Sequence, residues 1–336
     1  MINVIPTLTV MNTIKEYENM IDNFIKSQSK YFRCNATRFS NEIYQESLTV
    51  LQKIYKEKTG EKFKLILDIP CPKDKHRVEF LREKNQFLVR KNEILRVFYR
   101  EKQLLNKNDL YIKLPQKSYK KGEKIIIGDG DVVLKVICVK NRYLECRVEY
   151  DGEIGYRKAC YIGEDYCHNL EKKEIYRFLD LIKALLPEYV ALSFVENELE
   201  VVFFKKELEK RNIDVKIISK IESKKALERL QNIIRVSDKI LIGRGDLALA
   251  SGYGKLAGYQ EEIITICKEE GCEVLVATDI VNSLCYKAFP SRAEVCDVYN
   301  LIKQGVYNFI LSGPLCRYNQ YNVAIDLLRE IENTIK

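Results

Sequence analysis

Apolar residues recur along this chain in two alternating patterns. Short runs nearly continuous in Val, Ile and Leu, such as 64–69, KLILDI, 216–221, KIISKI, and 239–243, KILIG, read as strands. Strand-like runs end near Leu8, Cys34, Leu67, Phe194, Ser219, Gly243, Ala277 and Ser312. Between most of them the period lengthens to that of amphipathic helices, as in 14–25, 42–55, 223–236, 258–270 and 293–304. Eight strands alternating with helices predict a (β/α)8 TIM barrel. The alternation breaks between Leu67 and Phe194, a stretch too long for one crossover. Within it, 124–139 and 142–150 are dense in Val and Ile, with turn signals at 128–130 and 151–155. The expected organisation is an α/β barrel built from 1–75 and 165–336, with an inserted, mostly β domain at 76–164.

Composition adds limits. The chain has 336 residues, 46% hydrophobic and 31% charged, an ordinary globular balance long enough for a large barrel or two domains. Residues 1–14 are uncharged but lack the basic start and small-residue cleavage site of a leader. No apolar run approaches the roughly 18 residues of a membrane span, so no membrane partner is expected. Eleven cysteines without a CxxC pair read as reduced thiols, which implies a cytoplasmic location. The net charge is +8, and 73–124 alone holds 16 Lys+Arg against 7 Asp+Glu. That segment is either a solvated Lys-rich surface or a mobile cap that draws phosphates or an acidic partner. Its aromatics, Phe80, Phe87, Phe98, Tyr99 and Tyr111, form no RNP-like motif, which argues against nucleic acid. His76 and His168 stand without partner spacing.

The candidate chemistry sits where strands end. Lys220 and Glu222 are two apart, so on a strand they point the same way. Asp246 follows the next strand. An amine and two carboxylates at neighbouring strand ends can form a metal-plus-cation site for an anionic substrate, with Glu222 and Asp246 as hard oxygen donors for Mg²⁺ or Mn²⁺. Lys220 there can stabilise charge on a transferring phosphoryl group or an enolate. The same residues, with Arg244, could instead form a salt-bridge network that only stabilises a rim. Backbone N–H groups at 243–246 could hold a carboxylate or phosphate.

These residues also resemble the pyruvate kinase family. KIISKIES at 216–223 is close to the family's ISKIEN, and IGRGDL at 242–247 to ARGDLG. VATDIVNSL at 276–284 looks like CATQMLESM, FPSRAEVCDV at 289–298 like RPTRAEVSDV, and ILSGP at 310–314 like MLSGE. In the insert, IGDGDVVLKV at 127–136 resembles VDDGLISLQV, and GEIGYRK at 152–158 resembles GSLGSKK. FRCNAT at 32–37 aligns with ARMNFS, and LDIPCPKDK at 67–75 with LDTKGPEIR. The resemblance implies a barrel with a β-rich lid after the third strand, a small phosphorylated or 2-oxo acid substrate, a nucleotide, and a homo-oligomer. It implies catalytic roles for Lys220, Arg33 and Thr278, and metal binding by Glu222 and Asp246. Gly245, Asp246, Thr278 and Ser193 would hold substrate. Asn35, Thr37, Asp68 and the Ile69 carbonyl would hold a monovalent cation. Asp129, Arg157 and Lys158 would act from the lid, and Lys75 would stand at the nucleotide-phosphate arginine.

The chain departs from the family at positions that serve nucleotide. Pro70 replaces a lysine, Lys75 an arginine and Arg38 a histidine; Asp279, Pro314 and Ala248 also differ from the motifs. The sequence also ends at Lys336, where the family continues into a regulatory domain, so that domain is expected to be absent. Three functions therefore stay open: a pyruvate kinase-like phosphotransferase, nucleotide-independent enolate chemistry on a 2-oxo acid or carrier-bound acyl group, and a non-catalytic regulatory protein on the same fold.

Lys73 stands where the family has glutamate, and members with lysine there do without K⁺. A fixed ammonium and a bound ion about 5 Å apart repel by roughly 3 kcal/mol at an effective dielectric of 20. If the chain is a kinase of this type, the expected outcome is equal activity in K⁺ and in tetramethylammonium, with K⁺ activation appearing in Lys73→Glu. Strong K⁺ activation of the unmodified protein would show that Lys73 points elsewhere.

Overall fold

The computed structural model describes the chain except for residues 1, 38–39, 82–85, 101, 103–105, 115–117, 164–166, 318–319 and 336. It divides into two compact units, Met1–Pro72 with Leu170–Lys336, and Lys73–Asn169. The second unit is slightly wider than the expected 76–164. Its first strand, Lys73–Phe80, begins immediately after the boundary and pairs at its start with Cys167–Asn169. Arg38 and residues 164–165, next to the expected second boundary, lie outside the described residues.

The first unit is the barrel. Its sheet runs from Asn3–Ile5 through Asn308–Ile310, Val274–Ala277, Lys239–Gly243, Lys216–Ile221, Tyr189–Leu192, Lys64–Ile69 and Tyr31–Asn35 to Thr7–Leu8. Every pairing is parallel. The two end strands are consecutive in the chain and separated only by Pro6, so the sheet closes on itself and the first barrel strand is split. Proline has no N–H for the ladder. Its carbonyl still accepts from Arg33 N–H at 2.9 Å, and the carbonyl of Ile5 accepts from Leu311 N–H at 3.0 Å.

The strands are apolar on both faces because both are covered. Ile5, Ile66, Ala191, Ile218, Leu241, Leu275 and Ile310 fill the barrel interior. Their outward neighbours, such as Leu67, Val190, Ile217, Ile240 and Val276, lie under the helices. Those helices include Ile14–Lys26, Asn41–Thr59, Lys172–Leu185, Glu198–Glu209, Leu256–Glu269, Arg292–Lys303 and Tyr321–Ile335. Thr13 with Glu16 and Ser291 with Glu294 form capping boxes that fix two of the entries. The single helix expected over 223–236 is broken into Lys224–Glu228 and Leu230–Arg235, because Arg229 leaves helical geometry at φ −119°, ψ 14°.

The second unit is β-structure. Eight strands form one sheet, antiparallel except for the pairing of Ile94–Phe98 with Asp109–Ile112. Gln86–Val89 and Gly152–Gly155 add a separate pair. Val78, Leu95, Val97, Leu110, Ile125, Leu134, Leu144 and Ile154 belong to its own buried core. Arg96 fastens one end through Nε and Nη2, which donate to the buried Asp109 at 2.8 and 3.0 Å. At the expected turn 128–130, Gly128 has φ +67°, and a Cβ there would fall 2.0 Å from Asp131 Oδ2. Among the described residues no helix is long and apolar enough to cross a membrane.

Candidate functional site

At the C-terminal ends of the barrel strands, polar side chains replace the apolar interior. The register sets their spacing. Asn35 is opposite Asp68, Asp68 opposite Ala191, and Leu192 opposite Ser219, so residues one or two positions further along each strand converge.

Asp68 is the centre of this group. It is buried, and its two oxygens serve two cations. Oδ2 accepts from Arg33 Nε at 2.9 Å and Nη2 at 2.6 Å, while Oδ1 accepts from Lys220 Nζ at 3.2 Å. Lys220 also donates to Ser193 Oγ at 3.0 Å and faces Glu222 Oε1 at 3.1 Å. Glu222 is itself buried, and its Oε2 accepts the N–H of Phe194 at 2.9 Å. Burial alone would push the Lys220 ammonium below the usual lysine range. The carboxylates of Asp68 and Glu222, with a further contribution from Asp246, outweigh it and hold the pKa above that range. For Asp68, burial alone would raise the carboxyl, but Lys220 and Arg33 overcome it and hold the pKa below the usual range. Both groups are therefore charged at neutral pH, and two cations face three carboxylates.

Glycine is required beside Glu222. A Cβ on Gly243 would sit 2.7 Å from Glu222 Cγ and 2.8 Å from Oε1. Asp246 lies in the first turn of the following helix, Arg244–Ser251. The second glycine, Gly245, approaches Thr278 so closely that its Cβ would fall 3.2 Å from Thr278 Cγ2. Thr278 has φ +75°, with Asp279 at +57° and Val281 at +45°. A β-branched residue in that region is a strained outlier that its surroundings must hold. Arg244 does so, since its Nε and Nη2 both donate to the Thr278 carbonyl at 2.9 and 2.5 Å. Its Nη1 donates to Asp297 Oδ2 at 2.5 Å.

The barrel thus brings together Arg33, Asp68, Ser193, Lys220 and Glu222, with Asp246 close enough to act on Lys220, and it sets Gly245 against Thr278. Arg244 turns toward Thr278 and Asp297, apart from the rim network in which the sequence could place it. Two residues went unread in the sequence. Thr7 Oγ1 accepts from Arg33 Nη1 at 3.0 Å and donates to the Leu311 carbonyl at 2.7 Å. Asp297, which lies inside the 289–298 motif without a role read for it there, anchors Arg244 across 53 positions.

Tyr44 Oη donates to the Asn35 carbonyl at 2.9 Å. Asn35 Oδ1 is buried with no hydrogen-bond partner among the described residues. Thr37 follows in the turn after that strand, and Ile69 closes the strand that carries Asp68. A cavity of about 190 Å³ opens beside Arg33 and Asn35, lined also by Thr7, Tyr44, Ser47 and Arg317. Among the described residues no three His, Cys, Asp or Glu side chains form a ready-made metal cage.

In the second unit, Lys73 is buried at the first position of its strand, and Lys75 lies two residues on. Asp129 is exposed in the 128–130 turn. Arg157 is exposed with φ +59°, and Lys158 pairs with Asp131 Oδ2 at 2.6 Å.

Comparison with known proteins matches residues 3–323 to the family described as "Pyruvate kinase, barrel domain". The pyruvate kinase of Thermotoga maritima is 33% identical over 333 residues, covering 96% of this chain and 69% of that enzyme. The pyruvate kinase of Mycoplasma pneumoniae is 34% identical over 198 residues, covering 58% of this chain and 39% of that enzyme. That of Methanocaldococcus jannaschii is 29% identical over 225 residues, covering 60% and 50%. The last two matches thus take in half or less of those enzymes' lengths.

The Asp68 cluster has a pH signature. Asp68 titrates below the unfolded carboxylate, so its contribution to stability stands above about pH 4 and is lost as pH falls through the folded value. Lys220 titrates above the unfolded amine, so its contribution stands below about pH 10 and is lost as pH rises through the folded value. Asp68→Asn should destabilise the barrel by about 3–5 kcal/mol at neutral pH, because two largely shielded cations lose their buried partner. Its stability should also fall less steeply in acid than that of the unmodified chain. Parallel acid-unfolding curves for the two proteins would disprove the coupling.

Proposed function

The chain belongs to the pyruvate kinase family, and on that premise we propose that it is a Mg²⁺- or Mn²⁺-dependent phosphotransferase. It would move a phosphoryl group between phosphoenolpyruvate, or a related 2-oxoacid enolate, and a nucleotide. The observation that carries the reading is Lys220. This lysine is largely shielded from solvent yet charged, held by Asp68, Ser193 and Glu222 at the mouth of a barrel. Binding a fixed ammonium there before any substrate arrives removes the reorganisation that water would need as charge develops.

The donor set fits a divalent ion. Mg²⁺ is characteristically held by one or two carboxylates together with substrate oxygens and waters. Glu222 is fixed by Phe194 N–H and by the close approach of Gly243, and Asp246 adds a second carboxylate. These two residues would hold the ion, which supplies charge neutralisation for an anionic substrate. The excess carboxylate in the cluster offsets part of its charge. The unpartnered Asn35 Oδ1 fits a monovalent ion or a fixed ammonium in the same way, with Thr37, Asp68 and the Ile69 carbonyl as the remaining donors.

Within this reading each residue has a distinct task. Thr278, with the amides of Gly245 and Asp246, would hold the substrate carboxylate, and Arg244 keeps Thr278 in place. Lys220 would stabilise negative charge on the enolate oxygen or the phosphoryl group. Arg33, fixed between Thr7 and Asp68, would face the phosphoryl group from the cavity side, where there is room for part of a second substrate. The basic residues Arg157, Lys158 and Lys75 would add positive charge from the inserted unit. Homo-oligomeric assembly and a cytoplasmic location are part of the same proposal.

A lactate dehydrogenase-coupled assay with phosphoenolpyruvate and ADP tests it. Lys220→Met should lower turnover per folded molecule by about 10²–10³-fold, in addition to the stability lost by leaving the buried Asp68 and Glu222 without this cation. Loss of fold with unchanged activity per folded molecule would make Lys220 a structural residue. The substitutions at Pro70 and Lys75 favour a second reading, enolate chemistry without nucleotide. Absence of any Tm shift on adding ADP or ATP with Mg²⁺ would select it, since ligand binding to the native state must stabilise that state.

The metal assignment has its own test. Glu222→Gln together with Asp246→Asn should abolish Mn²⁺ binding followed by electron paramagnetic resonance. Unchanged binding in the double variant would remove both residues from the metal site.

A further inference from the structure

The helix Leu256–Glu269 ends away from the Lys220 cluster, at the end of the barrel where the strands begin. Gly271, at φ +68°, turns the chain. Gly271 N–H donates to the Lys268 carbonyl at 3.3 Å, and Cys272 N–H donates to the Cys267 carbonyl at 2.8 Å. This paired closure sets its first and last residues side by side, and an apolar contact between them usually accompanies it. Here both residues are cysteines. Cys267 is fully buried and Cys272 is partly exposed; the cap brings the two thiols close enough to interact, and the Cys272 thiol donates to the Glu273 carbonyl at 3.8 Å.

We infer that Cys267 and Cys272 form a redox-modifiable dithiol that hydrogen peroxide or an alkyl hydroperoxide converts to a disulfide across the helix cap. Cys272 is the attacking sulfur because solvent reaches it. Its thiolate attacks one peroxide oxygen and the O–O bond breaks. Hydroxide or alkoxide leaves and takes a proton to become water or alcohol, and Cys272 becomes a sulfenic acid. The Cys267 sulfur then attacks the Cys272 sulfur and the S–O bond breaks. Hydroxide departs with the Cys267 proton as water. Two thiols lose two electrons in total, and one peroxide is reduced.

The surroundings favour that order. Contact with Cys267 holds the Cys272 thiol below its usual range, against burial and the Glu273 and Asp238 carboxylates, with Lys239 on the favourable side. The same contact, reinforced by burial, holds the Cys267 thiol above its usual range, so it gives up its proton only in the second step, to the departing hydroxide. Lys239 is steered by its ion pair with Glu273, the residue after Cys272. Elsewhere burial pushes the thiols of Cys34, Cys146 and Cys316 up to about 12, which leaves them unreactive. The inference is independent of the proposed activity.

The test treats the full chain with hydrogen peroxide, blocks remaining thiols, and digests it with trypsin without reduction. Cleavage after Lys268 separates the two cysteines, so a disulfide links peptide 256–268 to peptide 269–287. The expected product has that linkage, two hydrogens lighter than the sum of the peptides, with fragment ions on Cys272 and not on Cys285. Cys267→Ser should instead leave a sulfenic acid on Cys272 that dimedone traps, and Cys272→Ser should give no linkage. The exposed Cys296 reports that oxidant was present. Oxidation of Cys296 with Cys267 and Cys272 both still free would overturn the inference, as would a linkage through Cys285.

Discussion

A carboxylate with almost no solvent must be shared between cations or it will not remain ionised, and Asp68 meets that condition with two. Arg33 takes one oxygen and Lys220 the other. This sharing orders the rest of the strand ends. Arg33 is fixed, so Thr7 is tied in from the split first strand. Lys220 is fixed, so Ser193 and Glu222 are drawn to it, and Phe194 turns its N–H to Glu222 at φ +51°. Five strands of the barrel contribute a donor or acceptor to one continuous charge network. A parallel sheet can do this because equivalent ends of neighbouring strands lie side by side, whereas an antiparallel sheet alternates beginnings and ends.

The barrel was readable in the sequence because a sheet covered on both faces leaves little room for polar residues. The runs at 64–69, 216–221 and 239–243 are apolar whichever way each side chain points. Lys220 and Glu222 were readable for the complementary reason, since charge inside such a run must have a partner or a task. The split at Pro6 was not readable. It follows from closing a ring, and closure is not visible in one strand's pattern. The break at Arg229 was missed because 223–236 keeps helical periodicity on both sides of it. The polar contacts that position Thr278 were also hidden. Arg244 reaches its carbonyl across 34 residues and Asp297 across 53, and nothing nearby in sequence announces either partner.

The strain at the strand ends has a consistent placement. Phe194, Thr278, Asp279 and Val281 all take left-handed backbone, and none is a glycine. Each such residue costs on the order of 1–3 kcal/mol and persists only where neighbours over-determine it. At Phe194 the neighbour is a buried glutamate, and at Thr278 it is a guanidinium making two bonds to one carbonyl. The glycines are used for another purpose. Gly243 and Gly245 have no positive φ to satisfy, but a side chain on either would push into Glu222 or Thr278. Backbone strain and small side chains therefore solve one geometric problem together. They bring a carboxylate, a hydroxyl and backbone amides to a convergence that unstrained strand-to-helix turns would leave too open.

The strand Val274–Ala277 joins the two ends of this arrangement. Before it stand Cys272 and Glu273, at a helix cap where a thiol pair and the Lys239–Glu273 ion pair meet. After it stands Thr278, held by Arg244. The strand is only four residues long and is paired in parallel on both sides, to Ile240–Gly243 and to Asn308–Ile310. Such a strand cannot slide by one position without turning its interior side chains, Leu275 among them, toward the helices. A change confined to the helix cap would therefore stop at the strand, unless it were large enough to break those pairings. On this reasoning the barrel insulates the charge network at one end from chemistry at the other, and a disulfide at Cys267–Cys272 would alter the cap while leaving Lys220 and Asp68 in register.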